Sequence, residues 1–142
     1  MPSPVTPLAV TSAAIQTMHY DPESTPDAKW WLSLDDIERA RLVTAAHRKV
    51  HFEPSATQLH ATLHVIVENQ LALGAPAAVP HALVRLTSAG LTRHDAVHAI
   101  ASVLAEHVYD AVHSHGAVAD MPLPQAYDEA VSNLSVEKWR DG

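Results

Sequence analysis

Apolar residues fall into helical spacing along most of the middle of this chain. After Ser33, the residues Leu34, Ile37, Ala40, Leu42 and Ala45 recur with roughly helical period as far as about Lys49. Ser33, with Asp36 three positions on, has the form of a capping box, and Trp30 and Trp31 are placed to anchor this start against a core. After a break at Phe52, Glu53 and Pro54, the stripe Leu59, Leu63, Ile66, Gln70 and Leu73 predicts the strongest helix, about Ala56 to Leu73, ended by Gly74 and Pro76. Pro80 suits the first turn of a shorter helix reaching Ala89, with Gly90 as its stop. Thr92, paired with Asp95, caps a helix running to about His113, and Pro122 and Pro124 introduce a last short one near Gln125 to Leu134. Trp139 in the tail is placed to pack back on the body. A local β texture at Leu63 to Val67 lies inside the helical pattern. The pattern predicts an all-α, single-domain bundle of four to five helices.

Length and composition narrow the setting. At 142 residues the chain has room for one domain. Residues 1–29 hold Pro2, Pro4, Pro7, Pro22 and Pro26 and read as an irregular, proline-rich N-terminal arm, with the helical domain at 30–142. Without cysteine there is no disulfide framework, thiolate metal site or Cys nucleophile. A net charge of −7 suits a phosphate-backbone binder poorly. Met1 to Tyr20 lacks the basic start of a secretory leader, and no apolar run is long enough to span a membrane, so a cytoplasmic protein is expected.

Histidine is what stands out: eleven residues. Three His-x-x-x-His spacings occur, at His47/His51, His60/His64 and His94/His98, more than random placement predicts. Residues four apart share a helix face, so each pair can converge on one ion. His60, His64 and Glu68 form a ladder bordering the apolar stripe of their helix. His94 and His98 share a face with Ala101 and Ala105, whose small side chains let a partner helix approach. Packed face to face, the two helices offer four imidazoles and a carboxylate, a ligand set for a divalent metal such as Zn, Ni, Fe or Mn. The expected metal site is thus His60, His64, Glu68, His94 and His98, with Glu68 as a fifth or bridging ligand. His47/His51 is the weaker pair, at a fraying helix end beside Arg48 and Lys49, and His19, His81, His107, His113 and His115 read as surface residues.

The segment from His60-Ala-Thr-Leu-His64 through Glu68, Gln70-Leu71, Gly74 and Pro76, followed by Gly90-Leu-Thr-Arg-His94-Asp-Ala-Val-His98, resembles a group of small bacterial proteins similar to domain-of-unknown-function family 1841. The lead-in from Trp31 to His47-Arg48 resembles one subgroup, and the likeness spans about residues 30 to 112. The resemblance implies a helical cytoplasmic protein and groups His60, His64, Glu68, His94 and His98 as one constellation. It implies no activity, and the Asn-Pro that often precedes the first histidine pair is replaced here by Thr57 and Gln58.

Other functions compete. Pro80 to Ala89, the turn Gly90-Leu91-Thr92 and a helix opening at Arg93 have helix-turn-helix spacing, but Arg93 would be the sole base-reading cation, so nucleic acid is a poor fit. His98, Ser102 and Glu106 draw a Ser–His–acid ladder on one helix face, without a nucleophile elbow or oxyanion loop. No catalytic residue is assigned. The direct rival of the metal reading is a non-enzymatic interaction or accessory module, a homodimer included, whose histidines are structural.

Overall fold

The computed structural model describes residues 20–47, 54–113 and 123–141, and within these not the side chains of 54–57, 112, 113 and 123. Seven helices occur among the described residues: α1 (Ala28–Ser33), α2 (Asp36–His47), α3 (Pro54–Leu73), α4 (Ala78–Ser88), α5 (Arg93–His113), α6 (Leu123–Ser132) and α7 (Val136–Asp141). No strand occurs among them, as the apolar spacing predicts. Five are the expected helices, and α1 and α7 are additional short pieces of six residues each.

The caps explain α1. Asp27 accepts a hydrogen bond from the Trp30 amide at 2.9 Å and so starts a helix ahead of the tryptophans. Ser33 is not the expected N-cap: its hydroxyl donates back to the Trp30 carbonyl at 2.6 Å and it closes α1 instead. Asp35 starts α2, accepting from the Glu38 amide at 2.8 Å. Elsewhere the expected punctuation is present. Thr92 Oγ accepts from the Asp95 amide at 3.1 Å, and Gly74 and Gly90 end α3 and α4 with φ of 67° and 109°, a backbone region other residues rarely adopt.

Two apolar cores flank α3. The larger gathers Val67 with Val79 and Leu86 of α4, Val97 and Ile100 of α5, and Tyr127 and Val131 of α6; Trp139 of α7 packs on its edge. The smaller joins Tyr20, Trp31 and Val43 to Ala61 and Val65 of α3. Covered from two sides, α3 buries a different face from the expected stripe: Leu59 and Leu73 are exposed, whereas Ala61, His64, Val65, Val67 and Glu68 are buried. His64 and Glu68 therefore lie inside the protein rather than at the border of its buried surface. Helices α3 and α5 run antiparallel, so Glu68 meets Arg93 at one end of their contact and His60 meets His98 further along.

Candidate metal centre

Three helices bring five histidines together: α2 ends in His47, α3 carries His60 and His64, and α5 carries His94 and His98. His47 sets the geometry. Its Nδ1 lies 2.7 Å from the carbonyl of Val43, one turn back. A carbonyl can only accept, so Nδ1 carries a proton, and in its neutral form the ring presents a bare Nε2. Around that Nε2 stand the Nε2 atoms of His94 at 2.9 Å, His98 at 3.1 Å and His60 at 3.2 Å, with His60 and His98 3.0 Å apart. One nitrogen from each of His47, His64, His94 and His98 lies within 4.8 Å of all the others.

Burial and mutual repulsion favour the neutral form of His60, His64, His94 and His98. Burial, followed by the neighbouring histidines, lowers His64 far below the usual imidazole range and His98 to about 3. His60 is lowered by burial and then by His47 and His94; His94 is lowered by burial and His47, against a partial offset from Glu23, Asp95 and Glu68. Neutral imidazole is the form that ligates metal. His47 and His64 are buried, while His60, His94 and His98 are part-exposed, so the cluster meets solvent on one side.

Glu68 occupies a different place from the ligand position expected of it. It is buried, and Arg93 clamps it through two hydrogen bonds of 2.8 Å, Nη1 to Oε2 and Nη2 to Oε1. Tyr20 donates its hydroxyl proton to the same Oε2. The separation from His64 Nε2 to Glu68 Oε2 is 4.0 Å, and with His64 neutral this is no ion pair. Tyr20 Oη also stands 2.7 Å from His64 Nε2, while His64 Nδ1 is buried without a hydrogen-bond partner. Arg93 Nη1 also donates to the Pro22 carbonyl at 3.0 Å, and the His94 amide donates to Glu23 at 2.7 Å. Residues 20–23 thus lie against the site.

Of the residues singled out in the sequence, His60, His64, His94 and His98 converge, and Glu68 backs them one layer out. His47, in the pair judged weaker, is central; its fellow His51 lies outside the described residues, as do His19 and His115. Tyr20 and Arg93 were not recognised as site residues. Arg93, the one cation that the disfavoured nucleic-acid alternative could offer, is turned inward to Glu68. Ser102 is exposed and donates to the carbonyl of Ala99 at 2.7 Å, without a bond to His98. An open apolar groove of about 640 Å³ along α3 and α5, lined by Leu59, Leu63, Ala105, Val108 and Tyr109, shares no residue with the cluster.

A family model described as "Domain of unknown function (DUF1841)" matches residues 35–129. The chain belongs to the DUF1841 family. The DUF1841 match contains all five clustered histidines, Glu68 and Arg93, but begins after Tyr20. No curated protein and no solved structure matches the chain. Among the described residues, no helix is long and apolar enough to cross a membrane.

Proposed function

We propose that this DUF1841 protein is a metal-binding protein that holds one divalent transition-metal ion at His47, His60, His64, His94 and His98, with Glu68 in the outer shell. The observation that carries this reading is the crowding at His47 Nε2. A neutral imidazole nitrogen has one lone pair in the ring plane and accepts one good hydrogen bond, yet three other imidazole nitrogens stand within 3.2 Å of it. With one lone pair, His47 Nε2 cannot accept a good hydrogen bond from all three. A central cation makes them neighbouring ligands: nitrogens each about 2.0–2.1 Å from a metal are about 2.9 Å apart at a right angle and about 3.4 Å apart at the tetrahedral angle. The observed 2.9–3.2 Å separations fall between these limits.

The donors are all imidazoles, which suits Zn, Ni or Fe; Mn favours carboxylate and water. The part-exposed His60, His94 and His98 give the metal a way in and leave a side where a small molecule can reach it, as in reactive rather than purely structural sites. The test is metal analysis of untagged protein, followed by titration with Zn, Ni and Fe(II). Wild type is expected to take up one ion per chain, and the double variant His60→Ala/His98→Ala none. A wild type that binds none of these metals overturns the reading.

A further inference from the structure

We infer that Tyr20 is a positioning residue of this centre: it claims the Nε2 proton of His64, so that His64 offers the metal its Nδ1, opposite to the nitrogen that His47 offers. This rests on the metal reading above, but the assignment follows from counting protons. Arg93 grips both oxygens of Glu68, the fork geometry of a guanidinium on a carboxylate, which only accepts. The single hydroxyl proton of Tyr20 therefore goes to Glu68 Oε2. Tyr20 Oη has only lone pairs left for its 2.7 Å contact with His64 Nε2, so Nε2 must carry the proton. A neutral ring has one N–H, and Nδ1 is left bare.

That Nδ1 is buried and has no hydrogen-bond partner. An unpaired buried polar atom is costly, and a metal ion is the partner that this lone pair fits. The two buried histidines are thus held in opposite tautomers by different outer partners. The Val43 carbonyl fixes His47 to present Nε2, and the Arg93–Glu68–Tyr20 chain fixes His64 to present Nδ1. Outer partners of this kind orient ligand rings and make them better donors. Tyr20 precedes the residues matched by the family, so this part of the site is supplied by the chain ahead of them. The contacts of Pro22 with Arg93 and of Glu23 with the His94 amide hold the same segment against α5.

The variant Tyr20→Phe removes the hydroxyl and keeps the ring that packs 5.3 Å from Trp31, centroid to centroid. Two measurements test the inference, using cobalt(II) as the probe metal. In metal-free wild type, side-chain nitrogen NMR is expected to show His64 protonated at Nε2 and His47 at Nδ1. In Tyr20→Phe, cobalt affinity is expected to fall about 10- to 100-fold. The visible spectrum of the loaded variant should also change, a response that loss of packing alone would not give. His64 protonated at Nδ1 in wild type, or a Tyr20→Phe protein binding cobalt as tightly as wild type with the same spectrum, overturns the role of Tyr20 and leaves the metal reading standing. A wild type that takes up neither cobalt nor any of Zn, Ni and Fe(II) overturns the metal reading, and the role of Tyr20 with it.

Discussion

Replacing Glu68 by leucine in metal-free protein isolates the energetics of the buried ion pair. Glu68 and Arg93 expose 1% and 8% of their side chains, so the variant strands a guanidinium where water cannot readily follow. The adjoining cavity, lined by Trp31, Leu71 and Ala72 among others, measures about 50 Å³, room for a water or two. Breaking such a pair from one side costs about 3–5 kcal/mol. Tyr20 also loses its acceptor, which adds about 1 kcal/mol. The sum, roughly 4–6 kcal/mol, is a large share of the about 5–15 kcal/mol that holds a domain together. At this chain length each kcal/mol moves the melting temperature by about 3–4 °C, so a drop of roughly 12–24 °C follows. Urea unfolding followed by circular dichroism, with chelator present, reads the cost as a shift of the midpoint at constant slope. The double variant Glu68→Leu/Arg93→Met, which leaves no charge behind, should regain most of the loss. A single variant costing under about 1 kcal/mol would show the pair to be effectively solvated. A double variant no better than the single would show that packing, not charge, was lost.

Two further outcomes follow from local features. The metal-free protein should be at full stability above the ordinary imidazole value of about 6.5 and lose stability as pH falls from there towards 3. The sign comes from His60, His64, His94 and His98: their folded values are lowered, so the unfolded chain binds more protons throughout that window. Urea midpoints that do not change between pH 7.5 and 5 would contradict it. Thr92→Ala removes the hydroxyl that caps α5 and should cost about 1 kcal/mol in the same assay, whereas Thr92→Ser should cost little.

The sequence showed local periodicity well and long-range convergence poorly. His60, His64, His94 and His98 were legible because four-residue spacing on a helix is local geometry, and small Ala101 and Ala105 marked α5 as a close-packing helix. His47 was not, because its cluster partners stand 13 to 51 residues away and only the packing of α2 on α3 brings them near. Glu68 is legible by its spacing but not by its partner, since an acid one turn beyond a histidine has the same spacing whether it serves a metal or an arginine. Nothing in the local pattern marks Arg93 as the partner of Glu68, because the two are 25 residues apart and arginines are usually exposed. The phase of α3 was misjudged for a related reason: a helix covered on two sides need not bury its most apolar stripe, and its paired polar residues can lie deepest.

The two cores on either side of α3 have a consequence for how the molecule opens. Residues 20–47 pack chiefly against α3, while α4 to α7 close around its other side. Such an arrangement divides into cooperative units of unequal strength, and the smaller unit can detach without melting the larger. Amides of α2 should then exchange with solvent faster than those in the middle of α5. Each such excursion would carry away His47 and Tyr20 together while His60, His64, His94 and His98 stay on their helices. For the proposed ion, entry would stay through the part-exposed side, while the breathing of the smaller unit would loosen its hold.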